Sequence, residues 1–238
     1  MIKLGNNSIG KIYLGSNSIG KAYLGSNLVF QKGGSPTPPI PTLVFYDRLV
    51  FDGVAKIQTD IILPALCSMR VVLENEKDKA AQRVFHAIGG DGLIQLIYGS
   101  STTSTQRRLQ VYYDSTTSGG NWGLNFSYTC YFFMTPTKYG SYQTVQTHTS
   151  GSAHPTDGLV LGGWNSGDPF SGDMGTFFLY DSSAQNAADW VELENNFTPV
   201  ATLRPCTYNG EAGFWYVEGN KFFGNTAGSG TLTVRNNS

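Results

Sequence analysis

The sequence predicts an all-β protein built as a sandwich or jelly roll, and three observations lead to that prediction. Its 238 residues include 29 glycines and 13% aromatic residues. Glycine weakens helices, whereas β-branched and aromatic side chains pack well on pleated sheets. Short apolar runs separated by turn residues recur along most of the chain, as in antiparallel two-sheet proteins. Only 14% of the residues are charged, so the polar surface is made mainly of Ser, Thr, Asn and Gly.

The first segment, residues 1–31, contains a ten-residue repeat that predicts a small β-meander. Residues 7–26 read NSIGKIYLGSNSIGKAYLGS, which is one phrase written twice with a single change. A Leu-Gly-Asn-Asn or Leu-Gly-Ser-Asn turn signal recurs every ten residues. The three expected strands, of about six residues each, carry apolar side chains on both faces and need a further surface to cover them. We therefore expect residues 1–31 to attach the protein to a partner or to oligomerise, with a closed homotrimer as the favoured state.

A Gly- and Pro-rich spacer at residues 32–42, KGGSPTPPIPT, separates the repeat from a second domain at residues 43–238. One helix is expected in this domain at residues 182–195, with Ser182 or Ser183 as its N-cap. The remaining pattern consists of runs typical of strands: 43–51, 56–63, 68–75, 82–89, 92–100, 107–114, 124–135, 142–149, 158–163, 175–181 and 213–223.

The charge and cysteine content argue against several classes of partner and cofactor. The formal net charge is −1 and the chain has no basic stripe, so nucleic acid is not an expected partner. No apolar run reaches the length of a membrane span, and the N-terminus does not have the pattern of a secretion signal. The cysteines have no CxxC spacing, and we expect all three to be buried free thiols: Cys67, Cys130 and Cys206.

The sequence lacks the common catalytic motifs, so we expect a non-catalytic protein. No HExxH, GxSxG or phosphate-binding loop motif occurs, and the 3 histidines are scattered. The nearest set of carboxylates is Asp189, Glu192 and Glu194. These residues fall in the expected helix and lack the paired arrangement, with an acidic residue between two glutamates on one strand, that retaining glycosidases of β-sandwich type need.

Two loops carry the residue types that bind sugars. A pyranose places its apolar C–H face against an aromatic ring, and its hydroxyl groups bind amides and carboxylates. The loop at residues 115–125 contains Asn121 and Trp122. The loop at residues 162–173 contains three further candidates: Trp164, Asn165 and Phe170. We predict that these five side chains bind carbohydrate, and the alternative is that each tryptophan folds back to cover the end of the sandwich.

The same loop also contains a candidate calcium site. Ca²⁺ binds oxygen atoms of carboxylates, amides and backbone carbonyls, and Asp168 and Asp173 lie close together in the sequence. The alternative is a solvated turn, and no other cofactor is expected. The two remaining tryptophans, Trp190 and Trp215, have apolar neighbours, and we assign them to the core.

Several phrases of the second domain resemble the laminin-G-like branch of the concanavalin A-like lectin/glucanase sandwiches. Residues 49–63, LVFDGVAKIQTDIIL, resemble the opening strand pair of that family. Residues 159–181 resemble its late hairpin, in which a strand ends in Gly-Gly and a loop leads to an alternating apolar strand. Residues 197–233 are similar to a C-terminal phrase of sandwich domains on tailed-bacteriophage structural proteins. The resemblance covers residues 43–235 and implies a concanavalin A-like β-sandwich, a fold that hosts several functions.

The N-terminal repeat is similar to short repeated segments that open phage tail and appendage proteins. Together, the two resemblances imply a virion protein of a phage tail or appendage that is made in the host cytoplasm. In that interpretation residues 1–31 contact other virion proteins or hold a trimer together, and the sandwich binds a host-surface glycan or polysaccharide. A purely structural virion decoration protein and a glycan-cleaving enzyme are the two alternatives.

Overall fold

The structure is a computed structural model in which the chain divides into two compact units, Met1–Thr42 and Leu43–Ser238. The structure describes the backbone of residues 3–4, 7–8, 12–14, 17–19, 21–24, 27–31, 41–75, 82–89, 92–98, 107–113, 116–117, 129–141, 144–147, 155–163 and 169–237. Backbone and side chains are described for residues 41–75, 82–89, 96, 129–141, 145, 147, 155–163 and 169–237.

The described strands of the first unit form three separate two-stranded antiparallel sheets. In order, the strands are β1 (Lys3–Leu4), β2 (Asn7–Ser8), β3 (Ile12–Leu14), β4 (Asn17–Ile19), β5 (Lys21–Leu24) and β6 (Asn27–Gln31). Each strand pair closes on a Leu opposite an Asn, at Leu4–Asn7, Leu14–Asn17 and Leu24–Asn27. Two residues beginning with Gly separate the strands of each pair, as in short β-hairpins. The β-repeat is therefore present as three hairpins, and these replace the expected meander of three longer strands.

The described part of the second unit consists of one helix and many antiparallel strands. The helix is α1 (Ala187–Asn196). The strands are β7 (Leu43–Phe45), β8 (Arg48–Asp52), β9 (Ile57–Gln58), β10 (Cys67–Glu74), β11 (Gln82–Gly89), β12 (Gly92–Tyr98), β13 (Arg107–Tyr113), β14 (Thr116–Thr117), β15 (Thr129–Met134), β16 (Lys138–Ser141), β17 (Thr144–Thr147), β18 (Val160–Leu161), β19 (Ser171–Tyr180), β20 (Ala201–Tyr208), β21 (Glu211–Tyr216), β22 (Lys221–Phe223) and β23 (Leu232–Arg235).

These strands form two sheets that pack as a sandwich. The large sheet has 11 described strands, and its main path is β17-β16-β15-β10-β19-β20-β21-β22. Three further strands join this sheet, because β8 pairs with β19 and β23, and β7 pairs with β20. The small sheet has 6 described strands in the order β14-β13-β12-β11-β18-β9. This architecture confirms the predicted all-β sandwich.

The core lies between the two sheets. On β10, alternate residues such as Met69 and Val71 are fully buried in it, since side chains alternate between the faces of a strand. Phe85 of the small sheet contacts two rings of the large sheet, with centroids 6.2 Å from Phe132 and 5.7 Å from Phe177. We call the side of the large sheet that faces away from this core the outer face. All three cysteines are free and buried, as predicted: Cys67, Cys130 and Cys206.

Helix α1 begins later than the sequence predicts. Its N-cap is Asn186, whose side chain accepts a hydrogen bond of 3.0 Å from the backbone N–H of Asp189. The carboxylate of Asp189 in turn accepts a hydrogen bond from the backbone N–H of Gln185. This reciprocal cap fixes the helix start, so the predicted N-caps at Ser182 and Ser183 are wrong.

Helix α1 covers part of the outer face. Its two buried side chains, Trp190 and Leu193, pack in a small apolar cluster with Tyr180, and two partly buried rings of the sheet, Tyr131 and Phe178, complete that cluster. Trp190 therefore lies in a buried apolar cluster, as predicted, although this cluster is separate from the main core. The described part of the chain has no helix long and apolar enough to cross a membrane.

Candidate functional site

Aromatic side chains project from the outer face at the end of the large sheet formed by β20, β21 and β22. On β21, Phe214 is fully buried in the core, whereas its neighbour Trp215 points to the other side and is half-buried. On β22, Phe223 is in the core and Phe222 is half-buried. Trp215 and Phe222 are directly paired across the two strands. This alternation places both rings on the outer face.

Tyr208 at the end of β20 completes this group of rings. Its ring centroid lies 5.6 Å from that of Trp215 and 5.5 Å from that of Phe222, with interplanar angles of 39° and 34°. These distances fall in the range of attractive aromatic pairs. We call Tyr208, Trp215 and Phe222 the aromatic platform. Its three rings are half-buried and lie on a paired part of the sheet.

Small residues beneath the aromatic platform allow the rings to lie against the sheet. A Cβ atom at Gly213 would lie 2.8 Å from two ring atoms of Phe222 and 2.3 Å from the carbonyl oxygen of Phe223. Cys206, which is paired with Gly213, is fully buried. Burial raises the pKa of the Cys206 thiol to about 12, so this thiol stays neutral at neutral pH.

Two charged side chains border the aromatic platform. Arg204 is exposed and is paired with Trp215 across β20 and β21, and its guanidinium group lies 4.0 Å from the ring centroid of Phe45. Glu211 is exposed on the other side, where a Cβ atom at Gly224 would lie 2.2 Å from its Oε1 and 3.0 Å from the Phe222 ring. Hydrogen-bond donors and acceptors therefore flank the rings.

This combination of groups suits a polyhydroxylated ligand. Aromatic faces bind the C–H side of a sugar ring, the Arg204 guanidinium donates to hydroxyl oxygens, and the Glu211 carboxylate accepts from hydroxyl groups. Among the residues that the structure describes, no group of three or more His, Cys, Asp or Glu side chains is placed to hold a metal ion. The chemistry that the aromatic platform offers is recognition of a ligand.

Five of the residues that the sequence predicts for the site lie outside the described residues: Asn121, Trp122, Trp164, Asn165 and Asp168. Their roles in binding carbohydrate or calcium stay predictions. The second of the two loops is described only at its ends. Gly163, at one end, is buried, and the described residues begin again at Pro169.

Phe170 is a correction to the predicted site. Its side chain is 0% exposed, and its ring packs against Phe51 with centroids 5.7 Å apart. The backbone N–H of Phe170 donates a hydrogen bond of 2.9 Å to the carbonyl of Gly162, which draws this end of the loop into the sandwich. Phe170 therefore stabilises the core, and its ring is closed to a sugar.

Asp173 is a second correction. It is 4% exposed, and its Oδ2 accepts hydrogen bonds from Arg235 Nε at 2.7 Å and from Asn75 Nδ2 at 2.6 Å. Arg235 also binds Glu74, and the neighbouring Arg48 binds the same carboxylate. These contacts hold the pKa of Glu74 below its usual value, and the hydrogen bond from Arg48 is the largest cause. Asp173 is nearly fully buried and is paired with Arg235, so it belongs to an ion-pair network and is not an open metal ligand.

The nearest catalytic candidates have structural roles. Asp189 caps helix α1, and Glu194 forms an ion pair with Arg70 on β10. Trp215, which the sequence predicts to lie in the core, instead lies on the outer face as part of the aromatic platform. The sequence feature that indicates this placement is that Phe214 and Trp215, and likewise Phe222 and Phe223, are neighbours on a strand and therefore lie on opposite faces.

Comparison with solved structures identifies similar folds at low sequence identity. The chain is similar to a putative carbohydrate binding protein from Bacteroides ovatus ATCC 8483, with a TM-score of 0.54, 11% identity and coverage of 82% of this chain. The match spans 61% of the length of that protein. A native heptameric SAP-like pentraxin from Limulus polyphemus also matches, with a TM-score of 0.44, 10% identity and coverage of 63% of this chain and 83% of the pentraxin chain. No family model and no curated protein matches the sequence.

Proposed function

We propose that this chain is a non-catalytic carbohydrate-binding protein and that the aromatic platform is where its sandwich contacts the glycan. The observation that carries the proposal is the outward placement of Tyr208, Trp215 and Phe222 on the outer face, where the Tyr208 ring contacts the other two rings. Large aromatic side chains that remain partly exposed on a well-paired sheet are typical of ligand-binding surfaces. The fold shared with a putative carbohydrate binding protein supports the same class of ligand.

The polar border of the aromatic platform favours a glycan over a purely apolar ligand. Arg204 is held over Phe45 by a cation–π contact, which positions its N–H groups at the edge of the rings. Glu211 is next to the Phe222 ring and provides acceptor atoms on the opposite side. The rings supply contact area for the sugar. Arg204 and Glu211 form hydrogen bonds with its hydroxyl groups and so select sugars by the positions of those groups.

The finer form of the proposal is a virion protein of a phage tail or appendage that binds a host-surface polysaccharide. In this form the hairpins of residues 1–31 attach the chain to other virion proteins or join it into a homotrimer, and the loops around Trp122 and Trp164 extend the glycan site. The support is the sequence resemblance described above together with the hairpin formed by each repeat. Light scattering tests the oligomer: the full chain should be trimeric at micromolar concentration, and a monomer contradicts this part.

A protein-binding surface is the alternative, because Phe45, which shares the outer face with the aromatic platform, is 37% exposed. Exposed apolar residues of this kind are typical of protein interfaces. A virion decoration protein that contacts only other proteins would use the same surface. The glycan array described next separates the two functions.

The test is a glycan array probed with the full chain and with matched Phe→Ala variants. Phe222→Ala removes one ring of the aromatic platform, and Phe197→Ala removes a ring that is 51% exposed outside it. We expect the wild type and Phe197→Ala to bind the same surface polysaccharides and Phe222→Ala to lose most of the signal. Absence of binding by the wild type, or equal binding by both variants, contradicts the proposal. Trp122→Ala and Trp164→Ala on the same array show whether the two loops contribute.

A further inference from the structure

Arg204 differs from the other described arginines of the large sheet in what it binds. Arg48, Arg70 and Arg235 each form an ion pair with a carboxylate of this chain. Arg204, on β20, is exposed, and no carboxylate of the described residues pairs with it. Its positive charge therefore faces solvent on the outer face, at the border of the aromatic platform.

The guanidinium group of Arg204 is held in place although it lacks an ion-pair partner there. Its central carbon lies over the Phe45 ring, 4.0 Å from the centroid, and this cation–π contact restrains a side chain that is otherwise flexible. The N–H donors of a guanidinium group lie in one plane and form a fork that fits two oxygen atoms of one anion. Because the fork is held before a ligand arrives, less side-chain freedom is lost on binding.

The register of β20 and β21 places Arg204 beside the largest ring of the aromatic platform. Arg204 and Trp215 are directly opposite each other across the two strands, and both lie on the outer face. The Cβ atoms of directly opposite residues are about 4.5–5.5 Å apart. A sugar ring that lies against the Trp215 indole therefore has its substituents within reach of the Arg204 fork.

Two carboxylates of the same face leave the Arg204 fork open. Glu211 is opposite Tyr208, four positions from Arg204 along β20, which is about 13 Å at ~3.3 Å per residue. This separation exceeds the screening length of about 8 Å at physiological salt. Glu218 is closer along the strand, but its two oxygens accept hydrogen bonds of 2.6 and 2.7 Å from the backbone N–H and the hydroxyl group of Thr202. Neither carboxylate occupies the place of an anionic ligand at Arg204.

We propose that the glycan bound by this chain is acidic and that Arg204 binds its anionic group while the sugar ring that carries the group lies against Trp215. This inference rests on the proposed function of the aromatic platform. The anionic group is a carboxylate, a sulfate or a phosphate, since all three present oxygen atoms to the arginine fork. Hydrogen bonds between two charged groups are stronger than those to a neutral hydroxyl group, so Arg204 favours an acidic sugar over its neutral counterpart.

Three variants separate the charge of Arg204 from its geometry. Arg204→Gln removes the charge, and Arg204→Lys keeps the charge but loses the planar fork. Lys138→Gln is the control, because Lys138 is an exposed cation on β16, near the opposite end of the strand order of the large sheet. Arg204 and Lys138 are both exposed, so all three variants should keep the Tm of the wild type.

The experiment is isothermal titration calorimetry of the full chain with the array polysaccharide that gives the strongest wild-type signal. The same polysaccharide is also measured after removal of its acidic groups. In one derivative the carboxyl groups are reduced to alcohols, and in the other the sulfate and phosphate esters are removed. The two derivatives show which anionic group the protein binds.

We expect the wild type and Lys138→Gln to bind one derivative about tenfold or more weakly than the native polysaccharide. Arg204→Gln should bind the native polysaccharide with a similar loss and should no longer distinguish it from that derivative, and Arg204→Lys should be intermediate. The inference is overturned if the strongest ligand is neutral, if the wild type binds the native polysaccharide and both derivatives equally, or if Arg204→Gln binds as the wild type does.

Phe222→Ala, measured with the same polysaccharide, separates failure of this inference from failure of the proposed function. Loss of binding in Phe222→Ala together with full binding in Arg204→Gln overturns the role of Arg204 and leaves the aromatic platform as the glycan site. Full binding in Phe222→Ala, or absence of binding to any polysaccharide by the wild type, overturns the proposed function and this inference with it.

Discussion

Phe170→Ala should lower the free energy of unfolding by about 4 kcal/mol, because Phe170 is a core residue. The side chain is 0% exposed, and truncation of a buried phenylalanine to alanine costs about 3–5 kcal/mol through lost apolar burial and the cavity left behind. Within that figure, the ring pair with Phe51 accounts for about 0.5–1.5 kcal/mol. For a domain of this size the change corresponds to a fall in Tm of about 10 °C.

Urea denaturation followed by tryptophan fluorescence measures this loss, with Phe197→Ala as the control. Phe197 follows the end of helix α1 and is 51% exposed, so the same truncation there should cost less than about 1 kcal/mol. Carbohydrate binding by folded Phe170→Ala should equal that of the wild type. A loss of stability below about 1 kcal/mol, combined with a loss of glycan binding, would refute the assignment of Phe170 to the core.

Two further predictions concern buried positions. Burial lowers the pKa of His86 from 6.5 to about 4, so the unfolded chain binds a proton at higher pH than the folded chain does. Stability should therefore fall by up to about 3 kcal/mol as the pH drops from about 6.5 to 4, and His86→Gln should flatten this part of the curve of urea midpoint against pH; parallel curves for the two proteins contradict the prediction. Gly213→Ala places a methyl group 2.3 Å from the carbonyl oxygen of Phe223, so it should cost about 1–3 kcal/mol and weaken glycan binding by displacing the Phe222 ring. Equal Tm and equal binding for Gly213→Ala and the wild type count against that packing.

Apolar runs bounded by polar or turn residues were predictable as strands from the sequence. The predicted run 82–89 has the same bounds as β11, and the run 68–75 differs from β10 by one residue at each end. Strand β20 was missed because Pro205 argues against a strand inside a sheet. The strand tolerates this proline, whose carbonyl oxygen still accepts a hydrogen bond of 2.9 Å from the backbone N–H of Tyr46.

The candidate site was harder to predict than the fold. Trp215 has apolar neighbours on both sides in the sequence, and composition alone places such a residue in the core. Only the strand register shows that Trp215 and Phe222 share the outer face, while Phe214 and Phe223 share the core. The prediction for Phe170 failed in the opposite sense, since a residue predicted to bind sugar lies in the core. Its position beside a polar loop gave no sign that the chain turns inward at Gly162.

The charge network around Asp173 was also beyond the reach of sequence patterns. Its partners Asn75 and Arg235 are 98 and 62 residues away along the chain. Strands β10, β19, β8 and β23 bring these residues together at one end of the large sheet. Two aspartates close together in the sequence show only their local spacing. They give no information about Arg235, which the C-terminal strand places beside Asp173.

Isothermal titration calorimetry of Trp215→Ala against the wild type, with the polysaccharide that gives the strongest array signal, measures the role of the aromatic platform. If a sugar ring covers about 60 Å² of the indole, its loss costs about 1.5 kcal/mol at ~25 cal/mol per Å². This corresponds to about a tenfold weaker Kd. We expect Trp215→Ala to bind about tenfold more weakly while its Tm remains within a few degrees of the wild type. An unchanged Kd for folded Trp215→Ala would contradict the proposal that this platform binds the glycan.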